Sequence, residues 1–220
     1  LPGAVARIPA IPTLAFALMM IGGLWLCLFH TRLRLAGLAF IAAGLGVAPL
    51  RDKPDILIGR DGALVAVRTA SGALSSVPAR GANFELTRWL EHEADARTAK
   101  QAVGGEAFRC DGSGCATTVK GMTLALATHP SALADDCARA HILVLTFPRP
   151  AGCNATRGPV IDFFTARAQG TIALFIEAGQ VRMKTVAQLR GDRPWARSRD
   201  VRRPLLQRAT TTGSRLGAFA

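Results

Sequence analysis

Four cysteines carry the clearest chemical signal in this 220-residue chain: Cys110, Cys115, Cys137 and Cys153, with a fifth, Cys27, inside an apolar run. Such a set can close as disulfides, stay as free thiols or bind zinc. Paired zinc ligands commonly enclose two residues, whereas Cys110 and Cys115 enclose four and Cys137 and Cys153 are sixteen positions apart. Disulfides are the expectation. Of three possible pairings, Cys110–Cys115 with Cys137–Cys153 is preferred. The first needs only the tight loop Asp111-Gly-Ser-Gly114, and the second would tie a short helix to the coil after it.

Acid–base and metal chemistry have thinner support. His92, His129 and His141 lie beyond the apolar N-terminal region, in no H-x-H-x-D-H or H-E-x-x-H spacing. A G-x-S-x-G nucleophile elbow and a phosphate-cradling G-x-x-x-x-G-K are both absent from the sequence. His92 stands between Glu91 and Glu93, but helix neighbours point in different directions, so a solvated polar face is expected there. His129 and His141 read as ordinary residues at strand edges, and Asp61-Gly62 as a turn pair. Asp135-Asp136 falls in the first turn of a short helix, where negative charge complements the dipole. No catalytic or metal residue is assigned, and no cofactor is expected.

The element that must hold everything else is the beginning of the chain. Ile11 to Phe29 is a nineteen-residue stretch without charge, about the length that crosses a bilayer core as a helix. His30, Thr31, Arg32 and Arg34 interrupt it before a second apolar run, Leu35 to Leu50. A helix apolar all round is either deeply buried or faces lipid, so residues 1–50 read as a transmembrane helical hairpin. Small residues in the second run, Ala39 with Ala43 and Gly44 with Ala48, are spaced to admit another helix. The expected partners are other membrane helices of the same or a larger channel protein. The opening at Leu1 suggests the C-terminal piece of a longer chain. Arg7, Arg32, Arg34, Arg51 and Lys53 leave the charge rule for orientation near a tie. The even cysteine set favours an oxidising compartment, which places the turn in the cytoplasm and the domain in the periplasm.

Residues 51–196 read as a small mixed α/β domain, making the whole chain α+β. Asp55–Ile58, Leu64–Arg68 and Leu74–Val77 form an expected three-stranded meander. Phe84–Ala99 reads as a helix with Asn83 as its cap. Met122–Ala127, a helix capped by Ser131 and running to Arg139, and a strand His141–Phe147 suggest one β-α-β unit with parallel strands. A strand Val160–Phe163 and a hairpin of Thr171–Ile176 with Val181–Val186 complete the pattern. The remainder, 197–220, reads as a disordered basic tail.

Twenty-seven Lys and Arg against fifteen Asp and Glu give net +12, a balance that favours polyanions. Arg190, Arg193, Arg197, Arg199, Arg202 and Arg203 form a dense positive run beside Trp195, which itself is expected to pack on the domain. They are candidate contacts to single-stranded DNA, with anionic lipid as the alternative. Tyr is absent and aromatics are sparse, which argues against a platform of stacked bases.

An ordered set of segments carries a family resemblance. It comprises Gly-Leu-Trp-Leu-Cys-Leu (Gly23 to Leu28), Asp55-Ile-Leu-Ile, Arg60-Asp-Gly and Leu64-Val-Ala-Val-Arg68. Arg88-Trp-Leu90, Phe108-Arg-Cys110, Cys115 and Ala134-Asp-Asp-Cys-Ala-Arg-Ala140 follow, then Val160-Ile-Asp162 and Gly191-Asp-Arg-Pro-Trp195. This resembles the C-terminal region of ComEC-type competence proteins over roughly Leu14 to Trp195. The resemblance implies a bacterial inner-membrane protein of natural transformation, which passes single-stranded DNA inward, with a metallo-β-lactamase-like terminal domain. The family's His/Asp metal motif is missing here, so the domain is expected to be a degenerate, non-catalytic relative. Two other readings are a metal-dependent nuclease and an envelope domain unrelated to DNA.

Overall fold

The computed structural model describes residues 9–79, 81–104, 107–151, 153, 157–191 and 193. They form a mixed α+β protein with two five-stranded sheets and, among the described residues, seven α-helices. The chain divides into two compact units: Leu1–Pro54 with Arg80–Ala102, and Asp55–Ala79 with Val103–Ala220. The segment 80–102, read from the sequence as part of the soluble domain, thus clusters with the apolar hairpin.

In the first unit, α1 (Thr13–Leu28) and α2 (Leu35–Val47) fold back on one another around a single 3-10 turn, Arg32–Arg34. Glycine makes the close approach possible. A Cβ built on Gly22 would stand 2.6 Å from the Gly37 carbonyl oxygen, and one on Gly37 equally near that of Gly22. Gly44 is packed similarly against Ala15 and Met19. Gly44 therefore serves the crossing inside the hairpin rather than the seat for a further helix that its spacing suggested. The helix also covers less than the expected run. Pro12 occupies the N-cap and Phe29 turns extended (φ −102°, ψ 128°), leaving sixteen residues, or about 24 Å. One helical stretch among the described residues, Arg32–Leu50 with nineteen residues, is long and apolar enough to cross a membrane; Thr13–Leu28 is shorter.

α3 (Asn83–His92) buries Leu86 and Leu90. It ends earlier than expected because Ala94 adopts a left-handed conformation (φ 58°) and Asp95 then binds the Arg97 backbone and guanidinium. The chain resumes helix at α4 (Ala99–Ala102). Ala82, not Asn83, holds the N-cap of α3, and no side chain caps it.

The second unit begins with the expected meander, β1 (Ile56–Ile58), β2 (Val65–Arg68) and β3 (Leu74–Ser76). Two further strands, β4 (Arg109–Cys110) and β5 (Gly114–Val119), flank the cysteine loop, where the sequence reading placed a tight loop and no strands. β6 (Met122–Ala127), α5 (Leu133–Arg139) and β7 (Ile142–Leu145) form the β-α-β unit, and β6 and β7 are parallel. β8 (Val160–Ile161) stops short of the expected Phe163 because Asp162 caps α6 (Phe163–Gln169), accepting the Thr165 N–H at 2.8 Å. The hairpin β9 (Ile172–Glu177) and β10 (Gln180–Thr185) leads into α7 (Val186–Arg190), which Thr185 and Gln188 start with a capping box.

The first sheet runs β10-β9-β1-β2-β3, antiparallel throughout; the second runs β4-β5-β6-β7-β8, antiparallel to β6 and parallel beyond it. Strand alternation sends Ile56, Ile58, Leu174 and Ile176 from the first sheet into one apolar core with Leu124, Leu126, Ile142 and Val144 from the second. The opposite face of the second sheet, Ala125, Ala127, Leu143 and Leu145, packs with Cys137, Ala140 and Cys153. β7 is buried on both faces, which is why its four residues are all apolar.

Candidate functional site

The four cysteines beyond the hairpin close two disulfides, Cys110–Cys115 and Cys137–Cys153, and Cys27 is free. The two bridges occupy opposite environments. Cys110 and Cys115 face each other directly across β4 and β5. The Asp111 carboxylate between them accepts the N–H groups of Ser113 and Gly114 at 2.7 and 2.9 Å, which holds its carboxyl below the usual range. Cys137 and Cys153 instead join α5 to the Pro-rich coil inside the core of the second sheet. There the Arg149 guanidinium donates to the Cys153 carbonyl through Nε at 2.9 Å and also through Nη2.

The histidines are engaged locally. The His129 ring accepts the Ser131 N–H and meets the Ser131 hydroxyl at 2.9 Å, so His129 caps the turn before α5 where Ser131 was expected to. The His141 ring accepts the Thr123 N–H at 3.2 Å, joining β6 to the start of β7. Asp135 and Asp136 do sit in the first turn of α5. Burial, then Asp111 and Asp135, pushes the Asp136 carboxyl up.

His92 and Glu93 were expected on a solvated face and are instead tied to the base of the hairpin. The Arg51 Nη2 lies 3.0 Å from His92 Nδ1 and 3.8 Å from Glu93, and Nη1 donates to the Ala10 carbonyl at 3.3 Å. The Ala10 N–H donates back to the His92 carbonyl at 3.2 Å. Lys53 approaches the same Glu93, whose side chain is only 8% exposed. Burial and then the Arg51 charge push the His92 ring down, partly countered by Glu93. No group of three or more His, Cys, Asp or Glu side chains among the described residues is placed to hold a metal ion.

The basic surface is broader than the sequence run suggested. On the edge strand β10, the Arg182 guanidinium and the Lys184 ammonium both lie over the Phe175 ring, 4.6 and 5.0 Å from its centroid, and Arg182 also pairs with Glu177 at 2.6 Å. Arg190 ends α7, and Arg193 is exposed. Arg197, Arg199, Arg202, Arg203 and Trp195 lie outside the described residues. Alternation along a β-hairpin is the signal that would have found Arg182 and Lys184, since they pair with Phe175 and Ala173, which alternate with the core residues Ile172, Leu174 and Ile176.

No family model, curated protein or solved structure matches this chain.

Proposed function

We propose that the chain is a membrane-anchored, non-catalytic accessory domain of a DNA-uptake channel of the ComEC type, set in a bacterial inner membrane with its two-sheet unit in the periplasm. The observation that carries the membrane part is the distribution of bulk on the hairpin. Glycines fill the crossing, while Leu14, Phe16, Met20, Leu24, Leu38 and Leu45 stand exposed on the outside, in a region with no acidic residue. Such an outside suits acyl chains and costs heavily in water. At the turn end, the Trp25 indole donates to the Leu33 carbonyl at 3.0 Å and stacks with Phe29 beside Arg32 and Arg34, a composition that suits a membrane–water interface. On this reading both α1 and α2 span, and the apolar flanks Ile11 and Phe29 extend the shorter helix toward the roughly 30 Å core.

The non-catalytic part rests on His92, His129 and His141, whose rings each meet a partner within the protein. Two sheets closing on one apolar core, with a helix outside the second, fit a metallo-β-lactamase-like layering stripped of its metal ligands. The DNA part rests on Arg190 and Arg193 of that run together with Arg182 and Lys184, which add positive charge on β10. A second reading, contact with anionic lipid, is favoured by Leu189, which is 80% exposed beside Arg190.

A titration of the full chain in detergent with single-stranded DNA, at low and physiological salt, tests the first reading. Binding that weakens with salt and shows little sequence preference is expected. Undetectable binding at both salts, with retention on anionic vesicles, selects the lipid reading. Reporter fusions after residue 30 and after residue 191 test the two spans and must report opposite sides of the membrane.

A further inference from the structure

We infer that Cys110–Cys115 is a thiol–disulfide exchange site, open to an attacking thiolate in the folded protein, while Cys137–Cys153 is a closed structural bridge. Three observations converge. The first is access: Cys110 is exposed on the two-residue edge strand β4, whereas Cys137 and Cys153 are 9% and 2% exposed within a packed cluster. Exchange requires in-line approach of a thiolate to a sulfur, so burial alone separates the two bridges.

The second is asymmetry within the accessible pair. Cys115 is partly covered and packs on the central core, while Cys110 is the outermost of the two. Attack therefore falls on Cys110 Sγ. The Cys110–Cys115 bond breaks, a mixed disulfide forms between Cys110 and the incoming sulfur, and Cys115 leaves as the thiolate. A second thiolate then attacks the external sulfur of that mixed disulfide and frees Cys110. Two external thiols become one disulfide, and the protein gains two thiols.

The third is that the hairpin does not depend on the bond. The Asp111 N–H donates to the Gly114 carbonyl at 2.9 Å, and the Asp111 carboxylate holds Ser113 and Gly114. Six register pairs with β6 fix β5 from the other side. Reduction thus leaves the sulfurs facing each other, ready to close again, without opening the core. The chemistry calls for a small thiol or the exposed thiolate of a dithiol reductant.

The test uses the full chain in detergent, purified without reductant and titrated with reduced glutathione, followed by alkylation and mass spectrometry of each cysteine. Glutathione is expected on Cys110 and alkylation on Cys115, at a thiol concentration at least tenfold below that which opens Cys137–Cys153, with an unchanged circular dichroism spectrum. Opening of Cys137–Cys153 first or together with the other, glutathione on Cys115 instead of Cys110, or no opening of Cys110–Cys115 before the spectrum changes would each overturn the assignment. The variant C137S/C153S supplies a second measurement: if it folds, Cys110 must still take up glutathione over the same concentration range.

Discussion

Lys120 reaches across from the β5–β6 turn to Asp55 at the head of β1, placing its Nζ 2.8 Å from one carboxylate oxygen and 2.9 Å from the other. The same Nζ donates to the Ile176 carbonyl at 3.1 Å, and Asp55 accepts the Ile176 N–H at 2.7 Å. One buried carboxylate thereby joins both sheets. Lys120 holds a left-handed backbone (φ 48°) that a non-glycine residue adopts at a cost of about 1 kcal/mol. Asp55→Ala leaves the Ile176 N–H without its acceptor, while the half-exposed Lys120 cation stays hydrated, and should lower unfolding stability by about 2 kcal/mol. Lys120→Ala should cost about 1 kcal/mol, and Lys120→Gly less than that because it relieves the backbone. Denaturant midpoints of the full chain in detergent give the order; a Lys120→Gly less stable than Lys120→Ala contradicts it.

The contact between Arg51 and His92 predicts a pH response at the base of the hairpin. The His92 ring is pushed below its ordinary 6.5, so the folded state prefers it neutral. A lowered His contributes stability that is complete above pH 6.5 and is lost as pH falls through the lower folded value. The expected NMR titration of His92 has its midpoint below 6.5, and His92→Gln flattens the stability profile in that window. A midpoint at or above 6.5 excludes the arrangement.

The hairpin crossing predicts a contrast between adjacent glycines. Gly22→Leu and Gly37→Leu put a side chain where a backbone carbonyl already lies 2.6 Å from the ideal Cβ, and should lower the thermal midpoint in detergent by several degrees. Gly23 meets nothing within 4 Å, so Gly23→Ala should leave the midpoint unchanged or raise it by helix propensity. Equal losses at Gly22 and Gly23 would mean that the two helices do not cross as described.

The basic edge predicts a change in salt dependence. If Arg190 and Arg193 each neutralise one phosphate of single-stranded DNA, replacing both by Ala should reduce the slope of log affinity against log salt by about 1.4. Truncation after residue 196 should lower it further. An unchanged slope in both variants removes these arginines from the contact.

Patterning along the sequence located most strands because alternation and turn chemistry agree there. Leu64 to Arg68 and the Ala178-Gly179 hairpin are such cases. The cysteine loop was legible as a loop but not as a hairpin, since β4 and β5 carry Arg109, Thr117 and Thr118 rather than an apolar run. Two helix starts did have written signals: Asp162 three residues before Thr165, and Thr185 three before Gln188, a capping-box spacing. The Arg51–Glu93 and Lys120–Asp55 pairs had none. Each joins residues far apart in the chain, and only the tertiary fold brings them within reach.

The first sheet is assembled from both ends of its unit. Asp55 and the residue it binds on β9, Ile176, are 121 positions apart, and the entire second sheet is encoded between them. During synthesis, β1, β2 and β3 emerge with one flank of β1 unsatisfied, and the whole stretch from Val77 to Thr171 must follow before β9 can fill it. A loop that long closes slowly. A chain halted anywhere before β9 would present that open flank to its neighbours, and strand pairing between half-built copies competes with folding until the last strands arrive.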